Sequence, residues 1–153
     1  MEFEQIDYYN IDELFTDEEK LVRNTVRDFV NSEISPIIQD CYLKGIFPLD
    51  LVPKMADLGL FGINIEQEYG GAGGNYTIYG LAMQELERGD SGLRSFASVQ
   101  NSLVMYPIHK YGTEKQKMKW LPLLAKGKAI GCFGLTDPDY GSNPAGMITN
   151  AKK

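Results

Sequence analysis

The chain alternates apolar and polar positions with a period that is helical over most of its length. In "FTDEEKLVRNTVRDFVNSEI" the residues Val22, Val26, Phe29 and Val30 fall on one face, and Thr16 and Glu19 have the spacing of a capping box. Pro36 interrupts this run, and "IIQDCYLKG" then predicts a second short helix closed by Gly45. "LDLVPKMADLGLFG" predicts a third, closed by Gly59. The following "INIEQEYGGAGGN" holds four glycines within five residues and cannot be the interior of a regular element. A longer helix runs from Asn75 to about Arg88, with Tyr79, Met83 and Leu86 facing inward, and "GDSG" breaks it. "LRSFASVQNSLVMYPIHKYG" predicts a fifth helix stopped at Gly112. Thr113 and Gln116 repeat the capping-box spacing ahead of "KMKWLPLLAKG", where Pro122 is placed to kink or split the last helix. The pattern changes only at "AIGCFGLT", which reads as a buried strand. The expected fold class is all-α, a helical bundle over residues 1–128, with a first strand of something else in 129–153.

Composition narrows the function classes. With 153 residues, 43% hydrophobic and 24% charged, the chain has the makeup of one globular domain with a core. A formal charge of −6 argues against nucleic acid as a partner, because phosphates call for clustered Lys and Arg. Lys115, Lys117 and Lys119 read as a solvated helix face. Cys41 and Cys132 stand apart from any CxxC or His-rich setting, which argues against a metal site and for reduced thiols. The acidic start "MEFEQIDYYNIDE" is unlike a signal peptide, and no apolar run reaches the length of a membrane span. The expectation is a soluble protein of the cytoplasm or the mitochondrial matrix, with no membrane partner.

Several stretches could carry chemistry. The glycines of "YGGAGGN", Tyr69 to Asn75, could cradle a phosphate, but the run matches neither GxGxxG after a strand nor a Walker loop; a tight connecting loop is the better reading. His109, the sole histidine, has no nucleophile motif near it and is assigned no role. Glu85, Glu87 and Asp90 read as capping and solvating carboxylates, and nothing selects one as a general base. Arg94 has two readings: an ion pair with Glu87 or Asp90, which the sequence favours, or a charged fork aimed at a substrate carboxylate. The strongest candidate is "GCFGLTDPDYGSNPAGM". Its amides around Gly134, Leu135 and Thr136, the Thr136 hydroxyl and the Gly141–Ser142 pair suit a flat heteroaromatic ligand bearing a phosphate. A strand followed by a ligand-free Asp-Pro turn is the alternative.

The same residues carry a resemblance. "CFGLTDPDYGSNP" resembles the flavin- and substrate-binding signature of the acyl-CoA dehydrogenases, and "EYGGAGG" and "YGTEKQKMKWLPLLAKGKAIGCFGLT" are similar to other parts of that family's N-terminal region. "ELERGDSGLRSFASVQNSLVMYPI" resembles its glutaryl-CoA dehydrogenase branch. The resemblance covers essentially the whole chain. It implies the family's N-terminal helical domain, with the opening of the middle β domain at its end. It also implies an FAD site lined by Phe133, Gly134, Leu135, Thr136, Asp137, Pro138, Asp139, Tyr140, Gly141 and Ser142. Ser142 would also lie near the acyl-CoA. Arg94 and Ser95 would close the far end of the acyl pocket, with Arg94 holding the second carboxylate of glutaryl-CoA. The implied partners are the acyl-CoA, an electron-transfer flavoprotein as electron acceptor, and further copies of the chain in a homotetramer. Asp137 stands where the family pattern has Glu, and Asn143 where it has Asp. By the same resemblance the carboxylate base that removes the α-proton belongs to the family's C-terminal domain, so no catalytic residue is expected here and the chain alone is expected to be inactive.

Overall fold

The computed structural model describes residues 6–152; the acidic start through residue 5, read above as unlike a signal peptide, lies outside the described residues. Helix α1 (Asp17–Phe29) begins at the expected capping box. Thr16 Oγ1 accepts from the Glu19 amide, and the Glu19 carboxylate accepts from the Thr16 amide at 2.8 Å. A π-helical turn, Val30–Ile34, continues it, so that Val26, Phe29, Val30 and Ile34 all reach the core. Helix α2 (Ile38–Lys44) closes on Gly45 as expected, and α3 (Leu51–Asp57) ends just before Gly59.

Helix α4 (Tyr76–Gly89) starts from Asn75, whose side chain accepts from the Ile78 amide at 2.8 Å. Asp90 then leaves the helical backbone and caps α5 (Ser91–Ser98), accepting from the Leu93 amide at 2.7 Å. The helix expected to stop at Gly112 is one rod in three pieces: α5, a π-helical stretch Val99–Met105, and α6 (Tyr106–Tyr111). The wide turns end just before Pro107, which has no N–H to return to the preceding turn. They also let two neighbours, Gln100 and Asn101, face the interior together. Helix α7 (Glu114–Ala125) uses the second capping box, Thr113 with Gln116.

Helices α1 and α4 lie against each other, α4 folds back onto α5, and α6 packs on α7. One continuous core runs through them, from Val30 and Ile34 through Leu86, Leu93 and Met105 to Leu121. None of the described helices is long and apolar enough to cross a membrane, and both cysteines are free thiols.

Two expectations are corrected. Pro122 does not split α7, which continues through it to Ala125. And "AIGCFGLT" is not a buried strand: residues 130–137 form no ladder, and Ile130, Phe133 and Leu135 are 53%, 48% and 40% exposed. A strand exists only by pairing its N–H and C=O groups with a neighbour, and the amides of Cys132–Thr136 find no backbone acceptor among the described residues.

A buried ion network ties α1 to α4. Glu85, 1% exposed, accepts from Arg27 Nη2 at 2.6 Å and from Arg88 Nε at 2.9 Å, and Arg88 also reaches Asn31. Burial pushes the Glu85 carboxyl up, but the two guanidiniums outweigh it and hold it below its ordinary 4.5. The unfolded chain therefore binds more protons near that value. Glu85's contribution is complete above the ordinary carboxylate pKa and is lost as pH falls through the lowered folded one. Urea unfolding between pH 7 and pH 3 is expected to show this loss, and Glu85→Gln should flatten it. At pH 7, Glu85→Gln should cost about 2 kcal/mol, less than a fully buried pair because both arginines stay partly in water.

Candidate functional site

Beyond α7 the backbone of residues 126–131 is held by a side chain of the rod. Gln100, 1% exposed, donates through Nε2 to the Leu124 and Ala129 carbonyls at 3.0 and 2.9 Å, and its Oε1 accepts from the Gly131 amide at 3.0 Å. Gly131 is pressed so closely on the rod that a Cβ would stand 2.3 Å from Val104 Cγ1. The sequence reading did not single out Gln100. Its signal was available: two amides, Gln100 and Asn101, interrupt the apolar face between Ala97 and Met105.

The next five residues are the part of the signature with chemistry to offer. The amides of Cys132 through Thr136 donate to no acceptor among the described residues, and the Phe133 and Leu135 side chains are about half exposed beside them. This is a strip of unpaired donors with apolar flanks. It fits a planar heteroaromatic group that needs hydrogen bonds at its edge and apolar contact on its face, so the residues present fit a flavin.

Asp137 ends the strip and behaves differently from its neighbours. It is 6% exposed, and its Oδ2 accepts from the Ile148 and Thr149 amides at 2.7 and 3.0 Å, while the Thr149 hydroxyl donates to Oδ1. These three donors, the Thr149 hydroxyl first, hold its carboxyl below the usual 3.8. Residues 137–149 thus form a loop with joined ends, braced inside by Tyr140 N–H on Asp137 O and by a short 3-10 turn, Pro144–Gly146. Pro138, Asp139 and Ser142 are exposed on it.

The tight glycine of this loop is Gly146, not the Gly141 of the Gly–Ser pair. Gly141 has no positive φ, and a Cβ there would meet nothing within 4 Å. At Gly146 a Cβ would stand 2.6 Å from Tyr140 Cδ1 and 2.7 Å from Asn143 Nδ2. The close approach lies on the returning limb, where the Tyr140 ring covers the backbone.

Arg94 is ion-paired through Nε with Glu87, the reading the sequence favoured. Its two Nη groups donate to nothing among the described residues, and the side chain is 35% exposed. Glu87 also accepts from Ser91, and the Arg94 and Ser91 bonds together hold its carboxyl below 4.5. The ion pair therefore does not exclude the second reading: it fixes the guanidinium and leaves its outer edge open. Ser95 is exposed beside Arg94 with no bond to it. Further along the same rod, Ser98 and Ser102 meet the Tyr79 hydroxyl of α4 at 3.3 and 2.9 Å. Tyr79, Ser102 and Tyr106 line a half-open apolar pocket of about 210 Å³. Sequence reasoning placed Tyr79 only in the core.

The remaining candidates are structural. The amides of Gly71, Ala72, Gly73 and Gly74 are all spent on carbonyls between Gly62 and Glu66, so "YGGAGGN" is a tight connecting loop. His109 pairs with Glu66 at 2.7 Å and sits edge-on to Tyr69. No group of His, Cys, Asp and Glu that could hold a metal occurs among the described residues.

The acyl-CoA dehydrogenase N-terminal domain family matches residues 16–128. The mitochondrial short-chain specific acyl-CoA dehydrogenase of Bos taurus is 39% identical over 133 residues, which are 87% of this chain and 32% of that protein. The crystal structure of a Mycobacterium smegmatis glutaryl-CoA dehydrogenase in complex with FADH2 superposes with a TM-score of 0.87 at 49% identity, over 91% of this chain and 36% of that one. Butyryl-CoA dehydrogenase from Megasphaera elsdenii superposes with a TM-score of 0.82 at 33% identity, over 94% and 37%. The chain spans about a third of the length of these relatives. On sequence and fold together, the chain belongs to the acyl-CoA dehydrogenase family and carries its N-terminal helical domain.

Proposed function

We propose that this chain is the N-terminal part of an FAD-dependent acyl-CoA dehydrogenase acting on glutaryl-CoA. Residues 1–128 are its helical domain, and 129–153 open its middle β domain. The observation that carries the substrate is Arg94. A guanidinium oriented by Glu87, with both Nη groups uncommitted, suits a second carboxylate and has no counterpart in a monocarboxylic acyl chain. The 49% identity to the Mycobacterium smegmatis protein supports the same branch. A short-chain monocarboxylic acyl-CoA is the competing substrate, given the 39% identity to the bovine enzyme.

In this reading the chain's residues bind and orient. The Cys132–Thr136 amides and Ser142 meet the cofactor, and Ser142 also meets the acyl-CoA. Arg94 and Ser95 fix the distal end of the substrate, so that its α and β carbons are presented at one place. A flavin held there would supply the acceptor for the β-hydride, and an electron-transfer flavoprotein would take up the electrons. The base for the α-proton lies outside the residues of this chain. The product would be glutaconyl-CoA, with decarboxylation to crotonyl-CoA following, and the mitochondrial Bos taurus relative and the Bacillus subtilis relative support a location in the mitochondrial matrix or the bacterial cytoplasm.

Steady-state kinetics of the enzyme carrying this chain test the substrate. Arg94→Gln should lower kcat/KM for glutaryl-CoA by on the order of 2–5 kcal/mol, roughly thirtyfold or more, because a buried carboxylate loses its charged partner. Butyryl-CoA should lose far less. Equal losses for the two substrates would make Arg94 a structural partner of Glu87 and nothing more.

The flavin strip makes a separate prediction. Ser142→Ala should weaken FAD retention in the enzyme, read as flavin absorbance per chain after gel filtration, while the melting temperature of the 153-residue chain stays within about 1 °C, since exposed Ser142 bonds to nothing among the described residues.

A further inference from the structure

The resemblance implies that Asp137 is one of ten residues lining the cofactor. The structure uses its carboxylate otherwise. Both oxygens turn back onto the chain, one taking two backbone amides from residues 148 and 149 and the other the Thr149 hydroxyl. The residue is 6% exposed in a stretch whose neighbours on both sides are open to water. No hydrogen bond joins this carboxylate to the helical bundle. The bundle fixes the other end of the strip, through Gln100 and Gly131.

We propose that Asp137 is a positioning residue for the cofactor strip: it ties Ile148 and Thr149 to the end of Cys132–Thr136, so that this strip is held between two buried polar anchors. This rests on the flavin reading given above. A carboxylate is the suitable group because it accepts several donors at one point, and charge-assisted bonds of this kind are about twice as strong as neutral ones. The joined neck replaces ordering that a ligand would otherwise have to supply, and that difference appears as affinity. The strip is then shaped before the cofactor arrives, and Asp137 acts on the cofactor only through the backbone it holds.

Hydrogen exchange read by NMR on the 153-residue chain, together with FAD affinity of the enzyme carrying it, tests the role. In the unsubstituted chain the Ile148 and Thr149 amides should exchange about tenfold or more slower than the unpaired Cys132–Thr136 amides. Asp137→Ala should abolish that difference. Asp137→Asn keeps an acceptor oxygen for the two amides and should restore most of it. Neither change should move the melting temperature of the bundle by more than about 2 °C, because the clamp is local. In the enzyme, Asp137→Ala should raise the Kd for FAD by roughly ten- to a hundredfold, and Asp137→Asn by about threefold at most. Fast exchange at Ile148 and Thr149 in the unsubstituted chain, or unchanged rates in Asp137→Ala, would overturn the clamp. An opened loop with unchanged FAD affinity would overturn its positioning role. An unsubstituted enzyme that binds no FAD would overturn the flavin reading and the positioning role with it, and the exchange rates would show that the clamp itself was not what failed.

Discussion

Two adjacent buried amides, Gln100 and Asn101, tie the entry to the glycine-rich connection and the exit of α7 to the helical rod. Asn101 Oδ1 accepts from the Gly62 and Ile63 amides at 2.7 and 3.0 Å, and its Nδ2 donates to the Leu60 and Ala97 carbonyls, both at 2.8 Å. All its hydrogen-bonding capacity is used, which is the condition for burying an amide at small net cost. Gln100 does the same for the exit of α7. One rod therefore carries the glycine-rich connection on one residue and the flavin strip on the next. Both lie in the π-helical stretch Val99–Met105.

The carboxylates at the end of α4 show how exposure divides the labour among similar residues. Glu85 and Glu87 are two positions apart, which on a helix puts them on different faces. Glu85 is buried against Arg27 and Arg88 and joins α1 to α4. Glu87 stays in water, 45% exposed, and holds Arg94 by one edge. Asp90 caps the next helix. The segment "ELERGD" thus supplies a strut, a guide for a guanidinium and a cap, and none of the three is left as a free general base.

The signature segment leans on the bundle at one end and on itself at the other. Between Gly131, held by Gln100, and Asp137 the amides of Cys132 through Thr136 bond to nothing among the described residues. Beyond Asp137 the chain returns on itself, with the Tyr140 ring against Gly146. A glycine beside a serine attracts notice in the sequence, but what limits side-chain size is where the chain crosses itself. That crossing is at the limb that returns.

Local chemistry by itself determined much of this protein. Thr16 with Glu19, Thr113 with Gln116, and Gly45 act within a few residues of themselves, so the starts of α1 and α7 and the end of α2 were legible in the sequence. So were the bundle architecture, read from helical periodicity, and an Arg94 ion pair with Glu87 or Asp90, of which the fold makes the first. The tertiary structure decided whatever depends on a distant partner. A strand-like composition at 129–136 forms no ladder because no backbone among the described residues pairs with it. Glu85 became a buried strut because Arg27, 58 positions away, reaches it. Asp137 became a clamp because residues 148 and 149 return to it, and Gln100 an anchor because α7 ends beside it. Periodicity and capping are properties of neighbours along the chain, whereas a buried polar group takes its role from whichever donors and acceptors the fold delivers.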